Sequence, residues 1–342
     1  MNRSIDYKSS GVDIEAGENA VKAIKSKVRT TYNRNVLGDL GSFGGLYRMD
    51  KNAWINPIIV SSTDGVGTKL LVAIMAQQFG TVGQDLVNHC VNDILVQGAI
   101  PQFFLDYIGV GKLYPSVIES IIDGFVIACK ENSCALIGGE MAEMPGVYQD
   151  GDFDLAGTII GFVEEDILLP RKSIQAGDIL LGFPSSGLHT NGFSLARKVL
   201  FEIMDLDIDS YVDELRQPIG EALLSIHTSY LKPMLPFLSN PGLHALAHIT
   251  GGGIGGNLSR VIPKGLQAIV ELSKHDIAPI FQLIQKGGNI QDGIMRQTFN
   301  LGIGMICVAS EGIAQEMIDA SDAMYIGILE ESTNVDNRVV FS

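Results

Sequence analysis

A mixed α/β (α+β) fold in two parts is predicted by three features of the sequence. Between residues 46 and 164, β-branched runs alternate with segments of helical periodicity. The alternation breaks at Glu164-Glu165-Asp166 and Pro170-Arg171-Lys172. It resumes with a new strand at Asp178-Ile179-Leu180-Leu181-Gly182-Phe183. A boundary near 168 therefore divides the 342 residues into 1–168 and 169–342, each long enough to bury its own core.

Taken in order, an arm with turn character runs to about Gly17. A helix follows at 18–30, with Val21, Ile24 and Val28 at helical spacing. The glycine-rich stretch 38–45 suits a loop that closes over a ligand, or a surface connector. Strands are predicted at 46–50, 56–63, 102–111, 134–138 and 154–164, and helices at 68–79, 84–98 and 116–132. In the second part strands are predicted at 178–183, 243–249, 266–272, 301–308 and 323–329, and helices at 192–204, 278–286 and 311–319.

Bulk properties exclude several classes. The chain carries 24 basic and 39 acidic residues, a net charge of −15, which disfavours nucleic acid and anionic membranes as partners. An anionic substrate must then be held by local devices such as a metal ion, helix ends or placed cations. Hydrophobic residues make up 46% and charged residues 18%, the composition of an ordered globular protein. The four cysteines form no C-x-x-C pair and read as reduced core residues of a cytoplasmic protein. An acidic N-terminal stretch without an apolar block argues against a secretory signal, and no apolar run is long enough for a membrane span.

The chemistry concentrates in a few stretches. Ser62-Thr63-Asp64-Gly65-Val66-Gly67-Thr68-Lys69 joins a strand to a helix, where phosphates are often held. It is not the G-x-x-x-x-G-K-[ST] loop, because an acid stands at its mouth. Asp64 suits a Mg²⁺ ligand and Lys69 a point charge for phosphates, unless the turn is simply one in which Asp accepts backbone amides. Asp85, His89 and Asp93 fall on one helix face, either a metal-binding face or a solvated one. Asp106 lies inside the apolar strand Phe103–Ile108 and needs a partner or a metal, while Glu140 closes another strand after Gly138-Gly139. Ser185 through Gly192 forms a cradle for an anion with His189 able to move a proton, or an N-capped helix start. Gly251, Gly253 and Gly256 match G-x-G-x-x-G, but Pro263 leaves only a short helix after them. A phosphate-binding turn is favoured there over a dehydrogenase fingerprint.

In order, these stretches resemble the aminoimidazole ribonucleotide synthetase family, the phosphoribosylformylglycinamidine cyclo-ligases of purine synthesis. The similarity is carried by Asp6-Tyr7-Lys8, Gly11-Val12-Asp13, Gly41-Ser42-Phe43-Gly44, Thr63 through Lys69 and Val91-Asn92-Asp93. It continues through Phe104-Leu105-Asp106-Tyr107, Gly138-Gly139-Glu140, Ala142 through Gly146, Ser185-Ser186-Gly187, His248 through Gly253 and Thr298-Phe299-Asn300. The resemblance implies ATP-driven closure of an imidazole ring and a homodimer whose N-terminal sheets join across the interface. It implies Mg²⁺ on Asp64, Asp93 and Glu140, with Gly41, Ser42, Phe43, Gly44, Asp64, Gly65, Gly67, Thr68 and Lys69 at the nucleotide. Ser186, Gly187, His189, Thr190, Asn191, Thr250, Gly251, Gly252 and Gly253 are implied to hold the phosphoribosyl substrate, with Lys69, His189 and His248 as catalytic residues. Departures from the family pattern are Met141, Asp39 and the absence of a glutamate near Gly293. Two other readings are a sister activity of the same superfamily, of thiamine-monophosphate kinase or selenophosphate synthetase type, and a non-catalytic nucleotide-binding scaffold.

Overall fold

A computed structural model describes residues 11–272, 277–333 and 337–342, so the Asp6-Tyr7-Lys8 stretch lies outside the described residues. Helix α1 (Ile14–Arg29) starts four residues earlier than its periodicity indicates, because the Asp13 carboxylate caps it by accepting from the Ala16 amide. Then come β1 (Pro57–Gly65), α2 (Lys69–Ala76), α3 (Gly80–Leu95), β2 (Ile100–Val110), α4 (Pro115–Glu131), β3 (Ala135–Glu143) and β4 (Phe153–Glu164). The strands form one sheet in the order β1-β4-β2-β3, antiparallel except for the β2–β3 pair. Helices α3 and α4 cover one face, and α1 packs on α4. The strand expected at 46–50 is not formed. Its residues pair locally instead, through a single bridge from Tyr47 to Val36 and a bond from the Leu37 amide to the Leu46 carbonyl.

The second half begins with β5 (Ile179–Pro184) and α5 (Phe193–Arg197), which continues as a π-helical segment, Lys198–Ile203. A short pair, β6 (Tyr211–Val212) and β7 (Gln217–Pro218), and helices α6 (Ile219–Leu223) and α7 (Leu231–Met234) were not legible as periodic runs. They precede β8 (Leu243–His248), α8 (Gly253–Leu258), β9 (Leu266–Val270), α9 (Pro279–Gly288), α10 (Asp292–Thr298), β10 (Ile303–Ala309), α11 (Glu311–Ala320), β11 (Met324–Glu331) and β12 (Val339–Phe341). The six strands lie in the order β12-β9-β11-β5-β10-β8. β8 is an edge strand paired only antiparallel with β10, and α8 has six residues. That geometry removes the dinucleotide reading of Gly251–Gly256, which needs a parallel β-α-β unit.

The halves meet along α3. Its polar face is buried, with Asp85 and Asn92 fully inaccessible and Asn88 and His89 nearly so. A strip of the second half, residues 225–230, crosses this face without regular structure, and its backbone polar groups must find partners. The Asn88 amide donates to the His227 carbonyl (2.8 Å), Asn92 donates to the Thr228 carbonyl (2.8 Å) and accepts from the Tyr230 amide (2.9 Å). The Asp85 carboxylate accepts the His227 amide at 2.7 Å. Neither the solvated face nor a plain metal face describes α3; most of it is an interlock.

Candidate active site

Four of the six histidines, His89, His189, His227 and His248, converge at one end of this seam. His89 projects from α3, and its Nε2 lies 2.8 Å from Asp64 at the end of β1 and 3.8 Å from Asp93. Its Nδ1 is 2.6 Å from the Thr190 hydroxyl. His248 ends β8 and sets Nδ1 2.9 Å from the other oxygen of Asp93. Its Nε2 meets the Nε2 of His227 at 3.0 Å, and the His227 ring stacks on His189 with centroids 3.9 Å apart. The result is a continuous chain from two carboxylates, through paired imidazoles, to the glycine-rich loops of the second half.

Electrostatics differentiate the members. Burial alone would raise Asp64 and Asp93, yet Asp64 lies below the usual carboxylate range through His89, and Asp93 through His248 and His89. Burial alone would lower His89, but the hydrogen bond to Asp64 and the charge of Asp93 raise it, favouring the imidazolium. Burial holds His248 below its ordinary value against the pull of Asp93, and keeps His189 and His227 well below theirs. The surroundings thus favour charge on His89 and the two carboxylates and neutrality on the other three imidazoles. Such a set can hold a cation between its carboxylates at one end and accept a proton at the other.

Local backbone explains the placement of His189. It adopts φ +60° within a loop that turns at Gly187 and Gly192, and its Nε2 accepts from the Ser186 amide at 3.3 Å. Its Nδ1 is buried without a hydrogen-bond partner among the described residues. Gly304 on β10 makes the room: a Cβ there would stand 2.5 Å from His189 Cε1 and 2.0 Å from the Tyr230 hydroxyl. Ser186 and Asn191 reach the surface on this loop, where Thr190 is nearly buried and Gly187 buried. Gly251 sits beside it, for its Cβ would come 3.2 Å from Asn191 Oδ1. Asn257 braces the turn by donating to the carbonyls of Thr250, Gly251 and Gly253, leaving Gly251 and Gly252 exposed and Gly253 buried. Ser186 through Asn191 and Thr250 through Gly253 therefore stand together next to the histidines.

Three sequence-based assignments need correction. Lys69 faces away from any open site: it is fully buried, 2.7 Å from Asp85, and donates to the Ser225 carbonyl at 2.7 Å. It is a tie between the halves and not a contact for phosphates. Thr68 likewise reaches across, 3.1 Å from the Ser194 hydroxyl, while Gly65 donates its amide to Asp64 and Gly67 turns at φ +67°. Glu140 is separated from Asp64 by the width of the sheet. Asp64, Gly157, Asp106 and Gly139 are register partners across four strands, so three spacings, about 14 Å, lie between the edges. Within one chain, that separation keeps Glu140 from sharing a single ion with Asp64. Glu140 instead lines a cavity of about 270 Å³ with Gly41, Ser42 and Asp106. Phe43 and Gly44 are exposed beyond it, and Asp39 anchors this loop to α1 through Lys25 and Arg29. The residue missed from the sequence is His227, which belongs to no strand, helix or glycine motif.

Asp64 and Asp93 fit a hard divalent cation. Both are partly exposed carboxylates, held ionised and meeting at His89.

A two-sheet α/β protein with such a seam agrees with the matched families. Residues 49–163 match the AIR synthase related protein N-terminal domain, and residues 175–339 its C-terminal domain. A phosphoribosylformylglycinamidine cyclo-ligase of Alkaliphilus metalliredigens (strain QYMF) is 47% identical over 314 residues, 92% of this chain and 90% of the relative. One of Bacillus thuringiensis (strain Al Hakam) is 48% identical over 312 residues, 91% and 90% of the two chains. The thiamine-monophosphate kinase from Stenotrophomonas maltophilia K279a has the same fold, with TM-score 0.68 and 18% identity over 94% of this chain and 96% of that one. The hydrogenase maturation protein HypE in complex with ATP aligns at TM-score 0.62 and 16% identity, over 94% and 90%. The chain belongs to the AIR synthase related family and, within it, to the phosphoribosylformylglycinamidine cyclo-ligases.

Proposed function

We infer that this chain closes the imidazole ring of 2-(formamido)-N1-(5-phospho-ribosyl)acetamidine with ATP, giving 5-amino-1-(5-phospho-ribosyl)imidazole, ADP and phosphate in de novo purine biosynthesis. The observation that carries the reading is the seam itself, in which two ionised carboxylates lead into neutral histidines between two anion-suited loops. The γ-phosphoryl group of ATP passes to the formyl amide oxygen. The amidine nitrogen then attacks that carbon, loses its proton and expels the oxygen as phosphate. Neutral His248 and His227 suit that proton, and Ser186, Asn191, Thr250 and Gly251 suit the ribose phosphate. Mg²⁺ on Asp64 and Asp93 would supply charge neutralisation for the phosphates. Asp64→Asn is expected to cut turnover at least a hundredfold and raise the Mg²⁺ requirement; unchanged Mg²⁺ dependence would remove the metal assignment.

The same reading takes the chain as a homodimer acting in the cytoplasm. Among the described residues no helix is long and apolar enough to cross a membrane, and all four cysteines are buried and free. Leu86 and Cys90 of α3 fill the space over Gly157, between Asp64 and the cavity that holds Gly41 and Ser42. Pairing β1 of one copy with β3 of another carries the cavity of the second copy to the carboxylates of the first. Sedimentation equilibrium is expected to give a dimer, and a monomer that turns over would end this part of the reading. A panel of ATP with the formamido-acetamidine substrate, thiamine monophosphate or selenide tests the activity. Phosphorylation of thiamine monophosphate without ring closure would favour the sister activity instead.

A further inference from the structure

Asp106 interrupts an apolar strand, and no side chain among the described residues pairs with it. On β2 the alternation puts it on the helix-covered face between Phe104 and Ile108, both essentially inaccessible. Gly139 on the neighbouring strand leaves space for the carboxyl group, since a Cβ there would stand 2.2 Å from Asp106 Oδ1. No cation among the described residues approaches it, and its own amide is the one hydrogen bond that bears on its charge. The carboxyl group opens on the cavity of about 270 Å³, whose walls are Val21, Ile24, Ile108 and Ile118, with Gly41 and Ser42 at the rim. A cavity with largely aliphatic walls and a few polar groups, Asp106, Glu140 and Ser42, fits a heteroaromatic base.

We propose that Asp106 is the residue that anchors the base of the nucleotide: in its neutral form it donates from one oxygen to adenine N1 and accepts the adenine N6 amino group at the other. This rests on the ATP-using reading above and adds the side chain that holds the base. Guanine and hypoxanthine present N1–H and O6, which a neutral carboxyl meets with its proton on the other oxygen, so Asp106 anchors the base edge without itself choosing between purines. Desolvation pushes Asp106 up to about 7, so the neutral form is present near neutrality and is lost as the pH rises. Glu140 from β3 and the buried thiol of Cys129 from α4 are the ionisable groups facing it, and no basic side chain lines the cavity.

The test is equilibrium binding of ATP to the full chain from pH 6 to 8.5, without the second substrate. The wild type is expected to lose roughly tenfold in ATP affinity across that range. Asp106→Asn keeps the donor and acceptor without a titration, so its ATP affinity is expected to follow only the titration of ATP itself. Asp106→Leu is expected to bind ATP at least tenfold more weakly than Asp106→Asn. If Asp106→Asn shows the wild-type pH profile, or folded Asp106→Leu binds ATP within twofold of wild type, the proposal is wrong. Should Asp106→Leu fail to fold, the pH profile of Asp106→Asn decides alone. Wild-type protein that is folded but binds no ATP would overturn the underlying nucleotide reading, a result distinct from ATP binding that ignores residue 106.

Discussion

Replacing Lys69 by Met separates a structural tie from a phosphate contact. Lys69 and Asp85 are both fully buried and 2.7 Å apart. Burial pushes the lysine down and the aspartate up, so each keeps its charge only through the other. Lys69 also holds the Ser225 carbonyl, and Asp85 the His227 amide, so the pair pins the first three residues of the strip that carries His227. Methionine keeps the stem and leaves Asp85 charged and unpaired; breaking a buried pair in this way costs about 3–5 kcal/mol. Against a total of about 5–15 kcal/mol, that is a shift of one molar or more in the urea midpoint. Asp85→Asn in the same chain removes the orphaned charge while still accepting the His227 amide. The double variant is therefore expected to regain at least about 1.5 kcal/mol over the sum of the single losses. Urea unfolding followed by circular dichroism measures this, with ATP affinity read in parallel. A loss under about 1 kcal/mol for Lys69→Met, additive losses, or a tenfold fall in ATP affinity at unchanged stability would refute the tie.

Gly304→Ala is expected to destabilise by about 1–3 kcal/mol and to reduce turnover, since the new methyl would collide with the Tyr230 hydroxyl and the His189 ring; thermal unfolding and steady-state rates check both. His227→Ala is expected to lower kcat at least a hundredfold while ATP binding to the first half stays within twofold, which would set His227 in proton transfer and not in nucleotide binding. Asp106→Asn should also change the pH dependence of stability. The folded value of about 7 lies above the unfolded one, so the native state loses stability as pH rises from about 4 to 7 and stays low above it. The Asn variant is expected to be more stable than wild type at pH 8, by at most about 4 kcal/mol, and not at pH 4. Equal stability differences at the two pH values would show that the carboxyl is solvated.

Sequence periodicity located the elements wherever one face of a helix or strand buries, as with Ile118, Ile121 and Phe125 on α4 or the wholly buried β10. It missed β6, β7, α6 and α7, which have two to five residues and owe their form to packing. It misplaced a strand at 46–50 because alternation says nothing of whether a partner edge is free. At the site, Asp64, Asp93, His189 and His248 were visible because each borders a glycine turn or a helix face. Lys69 was read by its loop, yet its direction is decided by Asp85, sixteen positions on and one helix away. His227 had no local signal, for its role comes from α3 passing beneath it. Glu140 was grouped with Asp64 by residue type, and only the strand order places them on opposite edges.

The central claim is ring closure driven by ATP at the seam. The most direct measurement is ADP release from the purified chain with Mg·ATP, with and without formylglycinamidine ribonucleotide, alongside detection of the aminoimidazole. Release is expected to depend on that substrate, with the two products appearing one for one. Folded protein whose ADP release ignores the substrate, or yields no aminoimidazole, would contradict it.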